Sequence, residues 1–279
     1  MTAKDSTIDI NLSNSIDKDV KTMFLPITLL QSLVLCPKYY IKNNHIYPND
    51  FINKCKTCIL SFTLFALKIY RLYEILGDEF FMKYTTTTIF YFALYLDESF
   101  SYCIYIVLYI ITSLKSRQFV LFVLKFQKIY RLLKNGLKVS HIINSWFYCS
   151  LLVFYHLIIG IIYSFALNVQ WHVSVCLFAH ICHDANIIYA IVSIKLLTEN
   201  VVQWNIQVSQ RDGFREINCQ ILLQTYVEIL ECFDTFKNCF QIPALILTID
   251  LFLNSMINHE VAIDLCKRTQ LSEAVSQTK

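Results

Sequence analysis

From Val139 to His183 the chain carries no Asp, Glu, Lys or Arg, although charged residues make up 16% of the whole. That length is about twice the ~20 residues one membrane-crossing helix needs. The polar triplet Asn168-Val169-Gln170 breaks it near its middle. The pattern predicts an antiparallel pair of crossings, Ile142 to Leu167 and Trp171 to Leu197. Two earlier crossings are predicted, Thr57 to Leu76 and Ile89 to Leu114. A fifth covers Phe240 to Ile257, with Asp250 its only charged residue. Phe24 to Cys36 is apolar but too short to cross, and Pro26 and Pro37 within and after it suit an interfacial or re-entrant piece.

Between crossings the pattern changes. Lys115, Arg117, Lys125, Lys128, Arg131, Lys134 and Lys138 crowd one connection that has no acid. By the excess of Lys and Arg in cytosolic loops, that connection lies inside, and the turn around Asn168, without Lys or Arg, lies outside. The polar residues 1–22 contain no apolar signal segment, so the amino terminus is expected in the cytosol. After residue 200 Leu222, Tyr226, Ile229, Phe233, Phe236 and Phe240 recur at alternating spacings of four and three, with Gln224, Glu228, Glu231, Asp234 and Lys237 between them. This heptad-like spacing predicts an amphipathic cytoplasmic helix, packed on its own chain or on a second subunit.

The expected organisation is a cytoplasmic amino-terminal region 1–54, four spans within 55–200, an amphipathic helix 201–239, a fifth span 240–257 and a polar tail 258–279. The fold class is all-α, a polytopic transmembrane bundle with a helical stalk. Composition agrees: the chain is 56% hydrophobic, with 21 Phe and 17 Tyr against four Gly and four Pro. A transmembrane barrel would show short alternating segments rather than continuous apolar runs. The net charge of +3 is too small to point to nucleic acid. Eleven Cys, an odd number scattered through apolar runs, do not read as a disulfide framework. Cys55 and Cys58 form a lone C-x-x-C, which lacks the four ligands of a structural zinc site.

Signatures of nucleotide, metalloprotease or hydrolase chemistry are absent, so no enzyme and no cofactor are expected. The informative polar residues lie inside predicted spans, where ionisable groups face a cavity or a partner. At helical spacing Cys176, His180, His183 and Asp184 share a face on the fourth crossing, with Asn186 nearby, and Cys149, His156, Gly160 and Tyr163 do so on the third. Asp97 and Glu98 lie in the second. These residues could hold a metal, make interhelical hydrogen bonds, or line a pocket for a small organic ligand. We favour the pocket, with His180, His183, Asp184, His156, Tyr163, Asp97 and Glu98 as ligand-binding candidates and no metal.

The order of elements resembles an insect gustatory receptor. The likeness rests on the stretch from Phe24-Leu25-Pro26 to Pro48-Asn49, the basic segment Phe122 to Lys134 (FVLKFQKIYRLLK), the charge-poor hairpin, and Tyr226 to Asn258, where Lys237-Asn238-Cys239-Phe240 leads into an apolar run. The resemblance implies a multi-pass receptor of the cell membrane with its amino terminus in the cytosol. It implies a ligand-gated cation channel for taste, gated by a small-molecule tastant and assembled as a homo- or hetero-oligomeric tetramer. In such an assembly Leu222, Tyr226, Ile229, Phe233 and Phe236 would anchor the subunits. It also implies seven spans and a closing Thr-Tyr and Gln-Phe signature that does not occur here, so the chain is expected to stop short of the pore helix. Alternatives are an odorant receptor of the same architecture, or a transporter-like or membrane-enzyme fragment using the His/Asp cluster.

Overall fold

The computed structural model describes residues 14–34, 36–77, 100, 103–133, 139–166, 171–209 and 216–277. They form helix α1 (Lys18–Leu33), strands β1 (Tyr39–Lys42) and β2 (His45–Pro48), and helix α2 (Phe51–Gly77). After these come α3 (Cys103–Leu114), α4 (Ser116–Leu132), α5 (Val139–Ala166), α6 (Trp171–Ser209) and α7 (Glu216–Gln277). Among the described residues the fold is helical apart from one hairpin. Among the described residues three segments are long and apolar enough to cross a membrane: Val139–Ile162, His180–Ser209 and Cys219–Ile257. A fourth is added if α3 and α4, bent by 62° at Lys115, count as one broken span. The large side chains that α5 leaves exposed, among them Leu151, Phe154, Ile158, Ile161 and Phe165, suit lipid rather than water.

Helix α1 does not stop at Pro26. It starts at Lys18, passes through the proline and ends at Leu33. The buried set Val20, Met23, Phe24, Ile27 and Leu30 recurs at spacings of three and four, which presents one apolar stripe to the core shared with α4, α5 and α6. A β-hairpin follows, and its turn has a local sequence signal. Asn43 and Asn44, both at positive φ (52° and 58°), form the two-residue turn that right-twisted strands favour. They pair Tyr40 with Tyr47 and Ile41 with Ile46. Ile16 donates to the Asn44 carbonyl at 2.8 Å, tying the entry to α1 onto the same sheet edge.

The basic connection is not a loop. Its first part is α4, whose Phe119, Phe122, Val123, Phe126 and Ile129 are all buried. Phe24 packs edge-on against Phe126 at 5.4 Å. The cations occupy the opposite side and meet acids of other elements. Lys125 pairs with Glu231 at 2.8 Å, Lys128 pairs with Glu228, and Arg131 grips both Asp17 oxygens at 2.6 and 2.7 Å. The guanidinium hydrogen bonds hold the Asp17 carboxyl below its usual pKa.

These α4 pairs join low numbers to high ones in descending order, so α4 and α7 run antiparallel. The same logic makes α5 and α6 antiparallel, since His141, Tyr148 and His156 meet Glu199, Lys195 and Asp184. From Glu216 onward the segments expected as an amphipathic helix, a fifth span and a tail run as one uninterrupted helix to Gln277, 62 residues with Pro243 inside it, while residues 201–209 of the expected amphipathic helix belong to α6.

Of the expected heptad positions on α7, Leu222, Ile229 and Phe240 are buried and Phe236 packs against the core, while Tyr226 and Phe233 are 42% and 46% exposed. Thr225, Cys232 and Cys239 take buried places beside them. Small residues let α4 approach closely, and the Cys232 thiol reaches the Phe122 carbonyl. Size, not periodicity alone, selects the contact face.

Candidate functional site

Helices α5, α6 and α7 meet through two His–Asp pairs. His156 Nε2 on α5 lies 2.9 Å from Asp184 Oδ2 on α6. His183 Nδ1 on α6 lies 3.4 Å from Asp250 Oδ2 on α7, and Asn254 donates to the other Asp250 oxygen at 3.3 Å. Adjacent residues on a helix point about 100° apart. One residue of the His183-Asp184 dipeptide therefore faces each neighbour, and the single shared face expected from spacing is divided between two interfaces.

Both imidazoles are buried, and each has one nitrogen without a hydrogen-bond partner, Nδ1 of His156 and Nε2 of His183. Asp184 is 40% exposed and so remains reachable. A carboxylate on an imidazole nitrogen fixes which tautomer is present and orients the ring. The arrangement can therefore hold three helices in register, accept or release protons, and exchange partners with a polar ligand that enters beside Asp184. Among the described residues no three His, Cys, Asp or Glu side chains converge to hold a metal ion.

A second polar centre was not foreseen. Lys38, between α1 and β1, is 3% exposed. Its ammonium donates to Asn186 Oδ1 at 2.6 Å and lies over the rings of Phe119 at 4.5 Å, Tyr189 at 5.1 Å and Phe240 at 5.8 Å. Burial pulls the lysine down from 10.5 to about 8, opposed by the nearby Cys36, Cys182 and Cys239 thiols. Gln31 of α1 reinforces the junction by donating to the Ala185 carbonyl at 3.0 Å.

Comparison with family models, curated proteins and solved structures gives no match. The site must be read from its own geometry.

Of the candidates, His156, His183 and Asp184 are gathered at the α5–α6–α7 junction, with His180 one turn before Asp184 and partly buried. Tyr163 lies on α5 one heptad after His156, and its side chain is outside the described residues, as are Asp97 and Glu98 altogether. Of the anchor residues, Leu222 and Ile229 pack within the chain, Phe236 packs partly buried against the core, and Tyr226 stacks near Trp204 at 5.2 Å. Asp250 carried a signal in being the lone charge of its apolar run. Lys38 carried none, because periodicity does not report where a lysine after a proline will fold.

Proposed function

We propose that the chain is a multi-pass chemoreceptor subunit of the gustatory-receptor type, part of a ligand-gated cation channel opened by a small organic tastant. The observation that carries this reading is the pairing of His156 with Asp184 and His183 with Asp250, which gives three otherwise apolar helices a polar junction beside a reachable carboxylate. A ligand with hydroxyl or amine groups competes for those partners. It shifts the helices by its differential affinity for the two arrangements. In this reading five crossings start from a cytosolic amino terminus, the basic face of α4 lies on the cytosolic side of the plasma membrane, and the first part of α7 forms the stalk. The exposed Tyr226 and Phe233 then offer a contact to further subunits in a tetramer. An odorant receptor of the same architecture would use the same junction.

The test is calcium imaging of cells that express the chain with its partner subunits, screened with sugars and amphipathic plant compounds. His183→Ala and Asp184→Ala should each move the half-maximal concentration by about tenfold, the value of one lost charged hydrogen bond, with unchanged surface delivery. Unaltered curves for both variants would remove the junction from ligand recognition.

A proton-coupled transporter is the second reading, favoured because the titratable pairs follow one another across three helices. Substrate uptake that collapses when the proton gradient is dissipated, without any ligand-evoked current, would replace the receptor reading with this one.

A further inference from the structure

Between α6 and α7 lies a cleft of about 270 Å³, lined by Asn186, Ala190, Phe240, Pro243, Ala244 and Leu247 among others. Its walls belong to two of the segments that are able to cross a membrane. Two of those lining residues also touch Lys38: Asn186 accepts its hydrogen bond and Phe240 lies against its ammonium. The buried cation therefore stands directly behind one wall of an apolar cleft.

Among the described residues no carboxylate lies within ion-pair distance of Lys38; its partners are one amide oxygen and three rings. An ammonium has three N–H donors, and one of them is used. The ionisable neighbours are the Cys36, Cys182 and Cys239 thiols, acids whose ordinary pKa is near 8.5. Aromatic faces offset part of the desolvation of a cation, but a buried charge is stable chiefly when it is paired.

We infer that the cleft binds a single-chain amphiphile with an anionic head, of the fatty-acid carboxylate class. Its tail lies against Ala190, Ala244 and Leu247, and its head meets Lys38 at the Asn186 end. The volume sets the size. It equals about nine water volumes of ~30 Å³ and sits at the lower edge of the usual range for ligand pockets. One short chain fills it, and of a two-chain phospholipid at most one chain fits inside. The position explains why the lining is hydrocarbon on a surface facing lipid, while a positive charge is held immediately behind it. The inference needs only a membrane-embedded chain and is independent of the receptor reading.

The test is equilibrium binding of tritiated decanoate to the full chain in phosphatidylcholine nanodiscs. Binding should be saturable at one molecule per chain, and decanol, with the same tail and no charge, should bind about tenfold more weakly or worse. Acetate should fail to compete, because it lacks the tail. Lys38→Met should lose about tenfold or more, Lys38→Arg should stay within a few-fold, and Ala244→Phe, which fills the cleft and leaves Lys38 in place, should also lose binding. Equal affinity for decanoate and decanol, or uptake that never saturates, would show plain partition into the bilayer and overturn the inference. If Lys38→Met fails to fold, Ala244→Phe decides alone, and wild-type decanoate binding by that variant overturns the assignment.

Discussion

Replacing Lys38 by Met removes the charge, keeps an unbranched apolar stem, and tests whether the buried ammonium is a burden on the fold. The fall of its pKa from 10.5 to about 8 corresponds to about 3 kcal/mol of disfavour for the charged form in the folded chain. The unfolded chain holds this proton up to about pH 10.5 and the folded chain only up to about 8. Between those values unfolding takes up a proton, so this group makes stability rise with pH across that window; below about pH 8 the full cost persists.

Met has no such titration, but it leaves Asn186 Oδ1 without its donor, at about 1–2 kcal/mol. At pH 7 the variant should therefore be more stable than the wild type by about 1–2 kcal/mol, and near pH 10.5 less stable by a similar amount. The order should reverse near pH 9. Urea unfolding in non-ionic dodecyl maltoside, followed by tryptophan fluorescence and with no anionic amphiphile added, measures both. Taking the difference between the two chains cancels the titration of every other group. A variant that is less stable at pH 7, or a difference that does not vary with pH, would refute the argument and make the three-ring cage a sufficient partner for the charge.

Three other outcomes are expected. A double-mutant cycle between His156→Ala and Asp184→Asn should give a coupling of about 0.6 and at most ~1.7 kcal/mol, the range of interhelical polar contacts in membranes; additive effects would deny that the pair is formed. On α7, Cys232→Phe should cost about 1–3 kcal/mol by overpacking the seam against Phe122. Phe233→Ala, one residue on, should stay within about 0.5 kcal/mol as an exposed change, and the reverse order, read from the same unfolding curves, would restore the large-residue seam. Asn44→Ala should destabilise the chain by about 1–3 kcal/mol, because alanine tolerates the left-handed turn poorly, while Asn44→Gly should be neutral in thermal melts.

The apolar helices were readable because a bilayer leaves its demand in the sequence as runs of fixed length. Val139 to His183 shows this without any knowledge of tertiary structure. The basic segment was harder. Seven cations mark the connection as basic, while Phe119, Phe122, Phe126 and Ile129, spaced three or four apart among them, record a helix that the fold buries at its centre. At the junction, sequence spacing located His156, His183 and Asp184 but not their partners, because which neighbour a side chain meets depends on how α6 is rotated between α5 and α7. Lys38 was invisible for a related reason: its environment is assembled from Asn186, Phe119, Tyr189 and Phe240, which are far apart in the chain.

The uninterrupted course of α7 has a mechanical meaning. Pro243 removes one backbone hydrogen bond and gives the rod a single compliant point. From there to Gln277 the helix extends ~50 Å at 1.5 Å per residue, so a change of bend of only ~10° at the proline sweeps its far end through ~9 Å. Toward the other end, Glu228 and Glu231 are clamped to α4, which fixes that arm, and past the proline Asp250 meets His183 of α6, so a bend there also moves that contact. A displacement of atomic size at the cleft wall beside Pro243 would thus be delivered at the far end as a movement several times larger, as by an oar in its rowlock.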